Sequence, residues 1–329
     1  MVNKSNHRKD KKVFITGHTG FKGSWLSQKK KNLGANVTGY ALSPPTEINL
    51  FELTSLKSEI NSITGNILNF EKLRNAIKES KPEIVIHMAA QSLVRESYKD
   101  PILTYETNVM GTVNVLEAIR QVGGVKVVVN VTSDKCYENK EWLWGYRESD
   151  SMGGYDPYSS SKGCAELVTS AYRRSFFNSK DFDKHGVALS SARAGNVIGG
   201  GDFSQDRLIP DIVRAAINKE KLIIRYPHSI RPWQHVLEPL NGYLTLCEKL
   251  YKQPKDYCGS WNFGPRDFDI KPVSWILDKF TEYWEEKFLF DIEKGEKPHE
   301  ASHLKLDSSK ANMLLDFSPK LNIEKALSI

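Results

Sequence analysis

Short apolar runs recur along the first two-thirds of the chain, at "KVFITG", "NVTGYAL", "EIVIHMAA", "VKVVVNVTS" and "VALSSARAGNV", each separated from the next by a longer mixed segment. Runs of this length, rich in Val and Ile, predict strands buried on both faces, with helical crossovers between them. The expected fold class is therefore α/β, a Rossmann-type doubly wound parallel sheet. After about Gly199 the pattern loosens into "GGGDFSQDRLIPD", one helix-like stretch and Pro-punctuated loops. That change predicts a smaller C-terminal substrate domain at the carboxyl edge of the sheet, where ligands of such folds bind. The expected division is 1–198 for the sheet domain, which also receives 232–262, and 199–329 for the substrate domain. The chain stops at "LNIEKALSI", in a helix just begun.

Composition narrows the class. A chain of 329 residues, 40% apolar and 26% charged, can bury a substantial core and is not expected to be disordered. The N-terminus lacks the apolar core of a secretory signal, and no run of about 18 apolar residues is available to span a bilayer. The four cysteines, Cys136, Cys164, Cys247 and Cys258, form no C-x-x-C pair, which points to free thiols in a reducing cytoplasm. The net charge of +6 is concentrated partly in "MVNKSNHRKDKK" and in Lys29, Lys30 and Lys31. No aromatics interleave these cations, so they read as solvated surface and not as a nucleic-acid arm.

Chemistry begins after the first strand. "VFITGHTGFKGSW" places Gly17, Gly20 and Gly23 at G-x-x-G-x-x-G spacing. Glycines there permit a tight turn and bring backbone N–H groups close to a pyrophosphate at the next helix N-terminus. The second strand carries Ser43 near its end where an acidic residue commonly holds the adenosine ribose, so it does not decide between NAD and NADP. Lys29 and Lys30 interrupt the apolar stripe of the intervening helix, apart from what their aliphatic stems can cover.

"YDPYSSSKGCAE" puts Tyr158 and Lys162 four residues apart, on one face of a helix. An ammonium and an oxidised nicotinamide beside a phenol favour phenolate, so a lowered tyrosine pKa and a base directed at a substrate hydroxyl are expected. In "NVTSDKCYEN" a strand continuing past Ser133 would turn Asp134 away from Ser133 and Lys135. For all three to reach one ligand the strand must have ended, and the apolar run does stop at Val131.

These stretches, with "HMAAQSLVR", "TNVMGTVNVLEA", "RAGNVIGGGD", "RLIPDIVRA", "IRPWQHVLEPLNGYL", "WNFGP" and "HEASHLKLD", cover nearly the whole chain. Together they resemble the extended short-chain dehydrogenase/reductases of the NAD-dependent epimerase/dehydratase family, in the group of CDP-glucose 4,6-dehydratases. The resemblance implies an NAD-dependent lyase that acts on CDP-glucose in deoxysugar synthesis, as for a lipopolysaccharide O-antigen, and that works as a homodimer through the helices bearing Asn108 and Tyr158. It implies that Tyr158 takes the O4 proton, Ser133 hydrogen-bonds that oxygen, protonated Asp134 serves the departing C6 hydroxyl and Lys135 removes the C5 proton. Related dTDP-glucose enzymes carry glutamate at the lysine's position. A lysine must be neutral to act as a base, and burial beside other cations favours that form.

Cofactor contacts implied by the resemblance are Gly17, Gly20, Phe21, Lys22, Gly23, Tyr40, Asn66, Ile67, Ala89, Ala90, Gln91, Asn108, Tyr158 and Lys162. Substrate contacts are Asn196, Arg207, Leu208, Ile209 and Arg231, the last a guanidinium fork suited to diphosphate. Ser43 and Asn66 stand where the family tends to carry Asp. Other readings are a different nucleotide-sugar 4,6-dehydratase, a 4-epimerase that needs no acid and base pair, or a non-catalytic sugar-nucleotide sensor.

"HEASH", His299 to His303, fits the H-E-x-x-H zinc pattern. Pro298 precedes it and "HLKLD" alternates like a strand, so no metal is expected. Cys136 has no histidine near it in sequence and reads as a small wall residue, not a nucleophile.

Overall fold

The computed structural model describes residues 9–284, 290–293 and 303–329. Its centre is one sheet of seven parallel strands: β1 (Lys12–Thr16), β2 (Asn36–Ala41), β3 (Asn61–Thr64), β4 (Ile84–His87), β5 (Val127–Val131), β6 (Ala188–Ala194) and β7 (Gly259–Phe263), in the spatial order β7-β6-β5-β4-β1-β2-β3. The expected doubly wound sheet is what forms. Alternate side chains of the apolar runs divide between two cores. Val13, Ile15, Ile84, Ile86, Val127 and Val129 face one, while Phe14, Val85, Val128 and Leu189 face the other. A strand buried on both sides leaves no polar alternate, hence the unbroken "VVV" and "IVI" runs.

The helices that matter for the site are α1 (Phe21–Asn32), α2 (Phe70–Ser80), α3 (Val94–Lys99), α4 (Gly111–Val122), α5 (Pro157–Ser175), α6 (Leu208–Asn218) and α7 (Leu237–Lys252). The start of α5 is set by Asp156, whose carboxylate accepts from the Ser159 N–H, and by Pro157 in the first turn. Lys29, Lys30 and Lys31 occupy the last turn of α1, where cations offset the negative end of the helix dipole. Lys31 pairs with Glu59 at 2.9 Å, and Lys30 is buried beside Ile84, Leu244 and Tyr251. The interruption of the apolar stripe thus lies at the helix end, where dipole and stem burial both favour it.

Helix α7 packs Leu240, Tyr243, Leu244 and Leu250 onto the sheet core, and β7 extends the sheet. A third, smaller core gathers Ile212, Leu222, Ile224, Trp233, Ile276 and Ile323. The "HLKLD" segment departs from its expected strand form. It makes only isolated bridges, His303 to Ile230 and Leu306 to Tyr146, because its two ends pair with different segments and no continuous ladder can form. His299 and Glu300 of the H-E-x-x-H pattern, and the basic head through residue 8, lie outside the described residues. Among the described residues no group of three or more potential ligands could hold a metal ion, and no helix is long and apolar enough to cross a membrane.

At the end of β4 a histidine ties the central strands together. Thr16 Oγ1 accepts the N–H groups of Met88 (3.0 Å) and Ala89 (3.2 Å), so its own proton goes to His87 Nδ1 at 2.7 Å. His87 Nε2 then carries the ring proton and donates to Thr112 Oγ1 (3.2 Å), which donates to the Asn108 carbonyl at 2.7 Å. Burial pushes the His87 pKa down to about 3, and the Lys162 charge adds to the shift. An unfolded histidine titrates near 6.5, so stability is lost as pH falls from about 6.5 towards 3, where only the unfolded chain gains the proton. Between pH 7 and pH 4 urea unfolding of His87→Gln should lose about 3 kcal/mol less than the wild type does. Parallel pH curves for the two proteins would refute that assignment.

Candidate functional site

Because every strand of the sheet runs the same way, the loops after β1, β4, β5 and β6 meet at one edge. They open there onto a cleft of about 1500 Å³ closed on its far side by α6 and the third core. The reversal of strand order between β1 and β4 puts the cleft where such sheets take their ligands.

The floor on one side is the turn from β1 into α1. Gly17 has φ +77°, and a Cβ there would lie 2.7 Å from the Ala89 nitrogen. A Cβ on Gly23 would come 2.0 Å from the Gly17 carbonyl oxygen, so the helix can start this close to the strand only with glycine. Gly20 caps α1 with no side chain, which leaves the helix N–H groups open to the cleft. Such a cradle fits a dinucleotide pyrophosphate. Phe21, Lys22, Asn66, Ile67, Ala89, Ala90 and Gln91 line the cleft around it. Burial lowers Lys22 to about 8, and the Arg207 charge adds to this.

Tyr40 and Asn108, expected as cofactor contacts, do not line the cleft. Tyr40 is fully buried, with its hydroxyl donating to the Asn66 carbonyl (3.1 Å) and its own carbonyl accepting the Gly17 N–H (2.9 Å). Asn108 accepts from the Gln91 N–H and donates to the Gln91 carbonyl (both 2.9 Å) and to Ser161 Oγ (2.8 Å). Packing spends both side chains on holding the loops that do face the cleft.

Strand β5 ends at Val131, as the three-residue argument required. Ser133 is extended (φ −164°, ψ 159°), and a 3-10 turn follows over Asp134–Cys136. Ser133 Oγ accepts the Lys135 N–H at 3.2 Å and donates to Asp134 Oδ1 at 3.1 Å. Ser133, Asp134, Lys135, Tyr158 and Lys162 all line the cleft. Burial raises the Asp134 carboxyl, with Lys135, Ser133 and Arg231 opposing, and its Oδ2 has no partner among the described residues. The result is an acid that holds its proton more tightly than usual, with one oxygen buried beside Gly195.

The expected lowering of Tyr158 is not found. Burial pushes the phenol up to about 12, with Ser133 and the Arg207 charge opposing, and Lys162 is itself lowered to about 8 by burial. Desolvation outweighs these opposing groups in the protein alone.

On the opposite wall Arg231 is buried and donates to the Ile230 carbonyl at 2.9 Å. Arg207 caps α6, pairs with Asp202 (2.9 Å) and reaches Ser92 Oγ (3.1 Å) across the cleft. Asn196, Leu208 and Ile209 line the same wall. Two features escaped sequence reasoning. Arg95 on α3 pairs with Asp206 at 2.9 Å, spanning the cleft mouth. Tyr243 on α7 is fully buried near Asp134 and Tyr158, with a hydroxyl that has no hydrogen-bond partner among the described residues. A phenol in the apolar "YLTL" run was the available signal, but only packing brings α7 against β5 and β6.

Comparison with known proteins places this geometry. The GDP-mannose 4,6 dehydratase family model matches residues 14–329. The chain is 58% identical over 327 residues to a CDP-glucose 4,6-dehydratase of Salmonella typhimurium, covering 99% of this chain and 91% of that one. It is 30% identical to a dTDP-D-glucose 4,6-dehydratase of Dictyostelium discoideum, over 65% of this chain and 50% of the other. Among solved structures, a UDP-glucose 4-epimerase of Thermotoga maritima with UDP-glucose shares the fold at TM-score 0.81 and 19% identity, with 96% of each chain covered. A dTDP-glucose 4,6-dehydratase of Bacillus anthracis in complex with NAD aligns at TM-score 0.78 and 21% identity, over 96% of this chain and 94% of that one.

The glycine cradle yields a direct test. Gly23→Ala should weaken NAD binding at least tenfold in calorimetric titration, since its Cβ cannot fit. Gly200→Ala, with nothing within 4 Å of the new methyl, should leave it unchanged. Equal affinities for both variants would remove the cradle from the site.

Proposed function

The chain belongs to the GDP-mannose 4,6 dehydratase family, and on that premise we propose that it converts CDP-glucose to CDP-4-keto-6-deoxy-D-glucose with NAD as its resident redox cofactor. The observation that carries the reading is the Asp134-Lys135 pair in the same cleft as Tyr158 and Lys162. A 4-epimerase needs a tyrosine, a lysine and a hydroxyl, but has no use for an acid and a base beyond them.

In this reading the N–H groups around Gly17, Gly20 and Gly23 hold the dinucleotide phosphates, and Lys22, Asn66, Ile67 and Ala89–Gln91 flank the rest. Bound NAD supplies a hydride acceptor for C4 that later delivers the hydride to C6. Tyr158 removes the O4 proton while Ser133 hydrogen-bonds that oxygen. Because burial holds the phenol proton tightly, Tyr158 gives it up only when positive charge, such as an oxidised nicotinamide would supply, comes to its side. Lys162, charged below about pH 8, favours the phenolate. The ketone formed at C4 acidifies the C5 proton, which Lys135 takes. Asp134, its proton retained by burial, protonates the leaving C6 hydroxyl, water departs, and Lys135 returns a proton to C5 as C6 receives the hydride.

Arg231 and Arg207 meet the diphosphate, Asn196 the sugar, and Leu208 and Ile209 the base. The division of labour follows as 1–198 with 232–262 for the dinucleotide and 199–329 for the nucleotide sugar. The chain works in the cytoplasm as a homodimer. The exposed apolar side chains of Ile102, Leu103, Met110 and Leu167, on or beside the helical faces of α4 and α5, support that pairing. Its product feeds deoxysugar synthesis of the kind used in a lipopolysaccharide O-antigen.

The test is incubation with CDP-, dTDP-, UDP- and GDP-glucose, followed by detection of the keto sugar. CDP-glucose should give the highest kcat/KM by at least tenfold, and equal rates with all four would reject the base assignment. Lys135→Met should abolish solvent deuterium entry at C5 while sparing C4 oxidation. Undiminished exchange would sink the lysine's role.

A further inference from the structure

Behind the catalytic turn lies a buried polar network that reaches the cleft through Thr132. Glu166 sits on α5 one turn beyond Lys162 and is 3% exposed. Its Oε1 accepts from Thr132 Oγ1 at 2.6 Å, and its Oε2 accepts from Ser191 Oγ and Arg193 Nη2, both at 2.7 Å. Arg193, equally buried on β6, donates through Nη1 to the Tyr137 hydroxyl at 2.7 Å, with the guanidinium 4.9 Å from the Tyr137 ring centroid. Tyr137 passes its own proton to Asn262 Oδ1 on β7 at 2.7 Å.

Thr132 and Tyr137 bracket the segment Ser133–Cys136. Both ends of the catalytic turn are therefore tied to one ion pair, and that pair is anchored on the helix that carries Tyr158 and Lys162. An ion pair this deeply buried contributes little stability relative to an apolar replacement, since desolvation offsets its attraction. What it does provide is a fixed geometry, and displacement of a catalytic group by about 1 Å costs on the order of 100-fold in rate.

We infer that Glu166 and Arg193, acting through Thr132 and Tyr137, are positioning residues that hold Asp134 and Lys135 in register with Tyr158. This rests on the dehydration proposed above. Tyr158 and Lys162 are set by α5 itself, so C4 oxidation has independent support. Asp134 and Lys135 depend on the turn. Loosening either end therefore slows loss of water more than oxidation.

The test mixes CDP-glucose with the NAD-loaded protein and follows absorbance at 340 nm, C5 deuterium entry and final product. Tyr137→Phe and Thr132→Val should each accumulate reduced nicotinamide that the wild type does not. C4 oxidation should stay within about threefold of wild type, while C5 exchange falls tenfold or more. Tyr146→Phe is the structural control. It removes a buried hydroxyl that accepts from the Lys140 N–H (2.6 Å) and donates to Asn139 (2.9 Å), and should lower Tm without changing the balance between the steps. If both bracketing variants keep the wild-type balance, or slow both steps equally, the positioning role is overturned whatever their Tm. Should one variant fail to fold, the other decides the outcome. A wild type that does not dehydrate CDP-glucose overturns instead the reading of function.

Discussion

Parallel pairing makes all seven strands end at the same edge of the sheet, and nearly everything about the site follows from that constraint. Each strand delivers its next few residues to one rim, so a glycine turn after β1, a polar turn after β5 and an asparagine after β6 become neighbours although they lie far apart in sequence. The two apolar cores hold the strands in register from both faces. The loops at the rim are then free to carry residues that would be costly inside an element.

Burial at that rim governs proton chemistry more than pairwise charge does. Asp134 and Tyr158 both hold their protons more tightly than in water, while Lys162 and His87 hold theirs more loosely, and in each case desolvation is the leading cause. The phenol of Tyr158 therefore rests neutral, while Lys162 keeps its charge below about pH 8. The Glu166–Arg193 pair is the exception. Burial would raise Glu166, but Arg193 and three hydroxyl and guanidinium donors bring it below its usual value. That buried ion pair stands behind the turn that bears Asp134 and Lys135.

Much of the site was legible because its signals are local. Tyr158 and Lys162 share a helix face by spacing alone, and the end of β5 could be placed from where apolar residues stop. Gly17 and Gly23 mark a turn whose geometry excludes a Cβ at both positions, while Gly20 between them has room for one. The alternation of "HLKLD" misled, since two partners at its ends replaced a single neighbouring strand. Tyr40 and Asn108 were assigned to the cofactor by resemblance, yet their hydrogen bonds go to the loops around it. Lys30 broke the expected helix pattern because the neighbours that cover its stem come from α7 and β4, far along the chain.

The sequence by itself determined the parallel α/β architecture, the dinucleotide turn and the candidate side chains of the site, because periodicity, glycine spacing and strand ends are properties of adjacent residues. Tertiary structure alone decided the protonation preferences of Tyr158 and Asp134, the pairing of Arg95 with Asp206 across the cleft, the approach of Tyr243 and the network behind the catalytic turn. Each of these depends on which distant groups exclude water from a given atom, and that is settled only when the layers close on one another.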